Sequence, residues 1–313
     1  MNDIAIQVSG LGRAFGDMWA VRGLDLEVRR GEIFGLVGPD GAGKTTTMRL
    51  LTGILAASEG RATVAGFSIQ GGEEEIKSRI SYMSQRFGLY GDLSVEENLR
   101  FYANLYEVPR REREPQEARL LGFSNLTPFR KRLARDLSGG MKQKLGLACA
   151  LVHKPEILFL DEPTNGVDPV SRRDFWRILY AMLKEGVTIF VSTAYLDEAE
   201  RCTRVGLMHQ GRLIQCDTPQ KLKEGIPGLL LELETAQPRV AREALVTRLG
   251  SNRVSLFGGK LHLYAADEAE AEQARTALRE ANISILGENV ITPSLEDVFI
   301  HQVTRSDEEE AAA

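Results

Sequence analysis

The hydrophobic pattern changes period twice along this chain. Residues 4–8 (IAIQV) and 24–28 (LDLEV) place apolar side chains at every second position, and 32–37 (EIFGLV) form a short apolar run entering a glycine-rich loop, so strands are predicted there. Another strand is expected over 62–69 (ATVAGFSI). From residue 94 to about 153 the pattern turns helical, opening with SVEE, where Ser94 and Glu97 stand at capping-box spacing. Arginines and glutamates interleave at 110–115 (RREREP), which reads as a solvated helix entrance rather than a basic patch. Apolar runs return at 157–160 (ILFL) and 187–192 (VTIFVS), separated by a helical stretch that stops at Gly186. Strand, helix, strand at this spacing implies parallel strands joined by crossover helices.

Beyond about residue 220 a Gly/Pro break (GIPG) precedes a smaller unit with the order βαββαβ: LLLELE, VAREALVTRL, RVSLF, KLHLYA, EAEQARTALREA and ISILGENV. That order fits a ferredoxin-like sandwich. The expected division is therefore a large α/β domain over 1–220, with a helical part at about 86–153, and a small α+β domain over 221–304. The charged residues 305–313 are expected to be a disordered tail.

Composition narrows the function classes. At 313 residues the chain exceeds a single domain of roughly 100–200 residues. Its net charge of -5 gives no basic footprint, so nucleic acid is not expected as a partner. Cys149, Cys202 and Cys216 are odd in number and far apart, and His153, His209, His262 and His301 are scattered, so neither a disulfide framework nor a zinc site is expected. The N-terminus shows no secretory pattern and no apolar run reaches the roughly 18–20 residues of a membrane span. A cytoplasmic location is expected, with any membrane role exercised through a separate protein.

Three short motifs carry the chemistry. GPDGAGKTT follows an apolar strand and precedes a helix, the context in which the loop of Gly38, Pro39, Asp40, Gly41, Ala42 and Gly43 cradles phosphates through its backbone N–H groups, of which Pro39 has none. Lys44 would reach the β and γ phosphates, Thr45 would ligate Mg²⁺, and Thr46 would support the α phosphate. A plain glycine turn is the bland alternative. ILFLDEP ends a buried strand in two carboxylates: Asp161 suits indirect Mg²⁺ coordination and Glu162 is placed to orient or deprotonate a water. Alone, such a pair means little. LSGGMKQK puts Ser138, Gly139 and Gly140 at another helix start; standing alone, Ser138 would be read equally well as an ordinary N-cap.

Together these motifs resemble the ATP-binding subunits of ABC transporters over residues 4–220, most nearly those paired with ABC-2-type export permeases. The resemblance implies a P-loop NTPase of ABC type: a mixed β core, an antiparallel β subdomain and a helical signature subdomain. It implies ATP and Mg²⁺ as cofactors, and ATP hydrolysis coupled to export. The implied partners are a transmembrane permease, a second nucleotide-binding domain and a periplasmic adaptor, with the chain on the inner face of the membrane. Ser138, Gly139 and Gly140 would serve ATP bound by the partner domain. Gln85 matches the glutamine that reaches Mg²⁺ and precedes the permease-contacting segment, Asp168 matches the dimer-interface aspartate, and Phe15 matches the aromatic that stacks on adenine, with Trp19 as the alternative. SLEDVFI at 294–300 resembles the ending of many ABC-2 ATPases.

One position departs from the pattern. Where the family has STHYLDEAE this chain reads STAYLDEAE, so Ala194 replaces a histidine that touches the γ phosphate, and a methyl group donates no hydrogen bond. Two arrangements follow: pairing with a different, histidine-bearing domain, which is favoured, or homodimerisation with Glu162 sufficient alone. The rival functions are a regulatory module that holds ATP without hydrolysing it and a soluble non-transport ABC ATPase. The second would carry tandem nucleotide domains or a coiled-coil insertion, neither of which occurs here. P-loop kinases and GTPases have no use for LSGGM.

Overall fold

The computed structural model describes residues 3–85, 88–250 and 253–312, with side chains described as far as residue 305. The chain divides into two compact units, 1–213 and 214–313, a few residues before the expected boundary at 220.

In the first unit an antiparallel sheet comes first: β1 (Ile4–Phe15), β2 (Met18–Arg29), β4 (Glu59–Val64) and β5 (Phe67–Ser68), in the order β2-β1-β4-β5. β2 buries Leu24, Leu26 and Val28 on one face and leaves the residues between them exposed, as its period-two pattern requires. The stretch 62–69, expected as one strand, is a hairpin. Ala65 and Gly66 both take positive φ (51° and 88°), and Val64 pairs with Phe67 across them, the geometry of a tight two-residue turn.

In the core sheet five neighbouring strands are parallel, in the order β9 (Arg204–His209), β3 (Ile33–Val37), β8 (Thr188–Thr193), β7 (Ile157–Asp161), β6 (Ile80–Met83). Every residue of β3, β7 and β8 is buried, which is why they read as continuous apolar runs rather than alternating ones. Phe190 fills the centre, with ring centroids 5.2 Å from Phe34 and 5.5 Å from Phe159.

The helices of this unit are α1 (Lys44–Leu51), α2 (Glu73–Arg79), α3 (Val95–Leu105), α4 (Arg110–Phe123), α5 (Gly139–Ala150), α6 (Pro169–Lys184) and α7 (Leu196–Ala199). α3 begins with the expected capping box: Glu97 N donates to the Ser94 hydroxyl, and Ser94 N donates to the Glu97 carboxylate. α3, α4 and α5 make up the helical part; of its expected span, residues 86–87 lie outside the described residues.

β10 (Arg212–Asp217) carries the chain across the division, and α8 (Pro219–Glu224) follows. The second unit then runs β11 (Leu229–Thr235), α9 (Pro238–Leu249), β12 (Val254–Phe257), β13 (Lys260–Ala265), α10 (Glu268–Glu280), β14 (Ile285–Ile291) and α11 (Leu295–Ala312). Its antiparallel sheet has the order β12-β13-β11-β14, that of a ferredoxin-like sandwich. Leu231, Leu233, Leu261 and Leu263 face Leu245, Ala274 and Leu278 from the helices in one core. The backbone of residues 305–312, expected to be disordered, continues α11; glutamate and alanine are good helix formers and extend a helix already begun.

Candidate nucleotide-binding site

The carboxyl ends of β3, β7 and β8 come together, since parallel register sets Val37 beside Thr193 and Asp161 beside Ser192. In a parallel α/β sheet this is the edge at which ligands bind. The loop 38–43 leaves β3 and enters α1 at Gly43, whose φ is 106° and where an added Cβ would lie 2.3 Å from the Ala20 carbonyl oxygen. Only glycine fits there, and without a capping side chain the first amides of α1 are left for an anion. A cavity of about 410 Å³ is lined by residues 40–46 together with Ala20, Gln85, Glu162 and Asn165.

Inside it, Lys44 is 4% exposed and fully engaged. Its Nζ donates to the carbonyls of Gly38 (2.7 Å) and Pro39 (3.0 Å) and pairs with Glu162 Oε1 at 3.2 Å. Thr45 Oγ1 donates to Asp161 Oδ1 at 3.1 Å. A hydroxyl that could ligate Mg²⁺, backed by a carboxylate that could hold one of the ion's waters, leaves few protein ligands, which suits an ion that keeps water and phosphate oxygens. Among the described residues no cluster of three or more His, Cys, Asp or Glu side chains could hold a metal by itself. The residues present therefore fit Mg²⁺ accompanied by a phosphate chain.

Asp161 is held from two further sides. Ser192 Oγ donates to its Oδ1 at 2.7 Å, and the Tyr82 hydroxyl donates to its Oδ2 at 3.1 Å. Burial, and then the Asp161 charge, pushes the Tyr82 phenol up to about 12, so it stays a donor across the physiological range. Glu162 follows in the left-handed region (φ 47°), a conformation costly for a residue with a Cβ, and its N–H donates to both the carbonyl and the hydroxyl of Ser192. Sequence motifs alone gave no role to Tyr82 or Ser192. The register of β8 against β7 is the signal for Ser192.

The segment after Glu162 is tied to the segment after β8 through Glu198, a carboxylate that is 1% exposed. Thr164 donates to it at short range, Thr193 Oγ1 at 2.9 Å and Trp176 Nε1 at 3.4 Å, and Arg172 Nε lies 3.5 Å away. Asp168 caps α6, accepting from the N–H groups of Val170 (3.1 Å) and Ser171 (2.9 Å), and the Ser171 amide in particular lowers its carboxyl below the ordinary value. Ala194 follows β8 with an exposed methyl, and among the described residues no histidine lines the cavity. His153 is occupied elsewhere, with Nε2 3.0 Å from the Ile80 carbonyl oxygen and its ring stacked on Tyr106.

The second glycine-rich helix start does not line this cavity. Ser138 caps α5, accepting from Met141 N at 3.4 Å. An added Cβ at Gly140 would fall 2.3 Å from Ser171 Oγ, whereas at Gly139 it would meet nothing within 4 Å. Gly140 is thus required by packing on α6, and Gly139 leaves an open surface. Phe15 (46% exposed) and Trp19 (38%) also lie outside the cavity lining. Arg13 stacks over Phe15 at 4.7 Å, while Trp19 leans on strand β1 at Gly12, which leaves Phe15 the freer of the two. Gln85 lines the main cavity and also a second one of about 370 Å³ with Leu89, Arg135 and Lys142.

A phosphate cradle, a strand-ending carboxylate pair and a separate serine-glycine helix start define an ATP-binding cassette. Residues 21–165 match the family described as ABC transporter. The chain is 45% identical over 305 residues to the probable multidrug ABC transporter ATP-binding protein YbhF of Escherichia coli (strain K12), covering 96% of this chain but 52% of that protein, so it spans about half the length of that relative. It is 35% identical to the Nod factor export ATP-binding protein I of Rhizobium leguminosarum bv. viciae, covering 97% of this chain and 96% of that one. Among solved structures, cbiO1 from Clostridium perfringens, part of the ABC transporter complex cbiONQ, superposes with a TM-score of 0.67 at 27% identity, over 79% of this chain and 96% of that one. The chain belongs to the ABC transporter ATP-binding family.

Proposed function

We propose that this chain binds and hydrolyses ATP as the motor subunit of an ABC-2-type membrane exporter. The observation that carries the reading is a division of labour. Lys44, Thr45 and Glu162 line one cavity, with Asp161 bonded to Thr45 behind it, while Ser138 and Gly139 of the same chain do not line it. Two such domains facing each other would supply each cavity with the other's helix start, so that ATP closes the pair and its hydrolysis releases it. Thr45 and, through water, Asp161 and Gln85 would hold Mg²⁺, which when bound neutralises charge on the phosphate oxygens. Glu162 would accept the proton of the attacking water, and Phe15 would stack on the adenine.

Among the described residues no helix is long and apolar enough to cross a membrane, so a separate permease would carry the cargo. The cavity that shares Gln85 with the nucleotide site is the natural place for that permease to sense ATP. A periplasmic adaptor would then attach through the permease and not through this chain. Export follows from the names of the relatives, one a multidrug protein and the other an export protein.

A second reading rests on Ala194, which gives the γ phosphate no donor from the end of β8. In that reading the cavity holds ATP and turns it over slowly, while Ser138 completes a faster site on a different partner domain. The experiment is ATP turnover and ATP-driven efflux by the chain reconstituted with its permease in vesicles, comparing wild type, Lys44→Ala and Ala194→His. Loss of both activities in Lys44→Ala is expected. Full activity in that variant would refute the motor reading, and an unchanged rate in Ala194→His would remove the ground for the regulatory one.

A further inference from the structure

Glu162 has two side-chain partners among the described residues. Lys44 holds Oε1 at 3.2 Å, and the Asn165 amide nitrogen donates to Oε2 at 3.4 Å. Asn165 is held in turn by Tyr195, whose hydroxyl donates to the Asn165 carbonyl oxygen at 3.3 Å. An amide can turn either end toward a carboxylate, and only its nitrogen attracts one. The acceptor-only carboxylate of Glu162 thus selects the nitrogen end, and the Tyr195 hydroxyl, donating to the oxygen left on the other side, holds the amide in that orientation. Tyr195 is itself set in place: its N–H donates to Thr193 Oγ1 at 3.0 Å, and the Arg172 guanidinium lies 4.5 Å from its ring centre.

The two partners of Glu162 differ in what a nucleotide would do to them. Lys44 lies in the phosphate cradle, and a triphosphate there draws its ammonium away from Glu162 while repelling the carboxylate. Asn165 carries no charge to be drawn away. Its 3.4 Å bond is long and can shorten once Oε1 is released. Ala194, next in the chain to Tyr195, contributes only a methyl group.

We propose that Asn165, its amide pinned by the Tyr195 hydroxyl, is the positioning residue that keeps Glu162 aimed when Lys44 turns to the nucleotide. The proposal rests on the hydrolytic reading of Glu162 given above. It makes Asn165 and Tyr195 determinants of kcat that leave ATP binding alone, since neither is needed to hold the phosphates.

The test measures steady-state ATP turnover of the transporter assembled with its permease. Asn165→Ala should lower kcat roughly 10- to 100-fold with KM for ATP within about twofold, as expected for an interaction that matters only in the transition state. Asn165→Asp should be slower still, because it sets a like charge beside Glu162. Tyr195→Phe removes an exposed hydroxyl and no packing atom, so it folds even if the Asn165 variants do not; it should cost about 3- to 10-fold. The double variant Asn165→Ala with Tyr195→Phe should be no slower than Asn165→Ala alone, since the hydroxyl acts through the amide. An unchanged kcat in Asn165→Ala or Tyr195→Phe, an effect confined to KM, or additive losses would overturn the relay. Glu162→Gln separates this from failure of the parent reading: if it keeps wild-type turnover, or if the wild-type complex has none, the hydrolytic role falls and the relay with it.

Discussion

The chain enters α1 at Gly43 in the left-handed region with no side-chain cap, whereas it enters α5 extended at Ser138, whose hydroxyl already accepts from Met141 N. Around the first, Lys44 is buried against the loop's own carbonyls and Glu162, in a cavity closed below by the Thr45, Asp161 and Ser192 hydrogen bonds. Around the second, Gly139 faces open space and Gly140 is pressed on Ser171. Both are glycine-rich helix starts with amides suited to an anion, yet one lines a cavity and the other presents an open surface. A glycine motif thus reports that something approaches the backbone; only the surroundings say whether it is a ligand, a second domain or the next helix.

The largest expected effect lies at the cradle. Glu162→Gln should lower turnover by about 10³-fold, within the span usual for a positioned general base, with ATP affinity kept or raised because the loop amides are untouched and Lys44 loses a carboxylate that competes with the phosphates. Nucleotide binding by the lone chain and turnover by the assembled transporter measure the two halves. A variant that binds normally and still turns over at the wild-type rate would leave the cradle without its chemistry, and the contrast with the Ser138 end would lose its meaning.

The neighbouring glycines at the other helix start sharpen the contrast. Gly140→Ala should destabilise the chain by about 1–3 kcal/mol, because its Cβ would lie 2.3 Å from Ser171 Oγ and α5 must shift away from α6. Gly139→Ala should leave the lone chain's denaturant midpoint unchanged, and it should slow the assembled transporter if ATP of a partner domain approaches there. Equal thermal stability of the two variants would mean that the packing argument for Gly140 is wrong.

Contiguous features were legible without coordinates. The loop 38–46, the carboxylates at 161 and 162 and the Ser94 capping box each lie within a few residues, where local geometry follows from residue type and spacing. The βαββαβ order of the second unit was legible too, since each of its elements has its own period. What stayed hidden depends on register or on contacts far apart in sequence. Ser192 reaches Asp161 because β8 lies in register with β7, 31 residues away, and Tyr195 reaches Asn165 across 30 residues. The hairpin at Ala65 was hidden for a different reason: a non-glycine residue took positive φ, which residue type alone disfavours.

Ser138→Ala has a smaller expected effect and separates two duties of one hydroxyl. As the N-cap of α5 it should contribute about 1 kcal/mol, read as a lower denaturant midpoint in the lone chain. The lone chain's affinity for ATP should not change, since Ser138 does not line its own cavity. Weaker binding by the lone chain would bring the two helix starts onto one nucleotide within a single chain, against the division drawn here.

The smallest effect is expected where α6 begins, at the aspartate between these two regions. The Ser171 and Val170 amides donate to Asp168 and lower its carboxyl below the ordinary 3.8. A group whose folded pKa is depressed stabilises the fold above its unfolded value and loses that contribution as pH falls through the folded value. The wild-type chain should therefore lose some stability between about pH 4 and lower values that Asp168→Asn, which can still cap a helix, does not lose. Asp168 is exposed, so solvent screening keeps the difference small, and denaturant midpoints for both chains at neutral pH and below pH 4 would show it as a shallower acid limb in the variant. Parallel acid limbs would mean that the amide contacts at the start of α6 contribute nothing to folding, and Asp168 would then be kept only for what it meets across a partner domain.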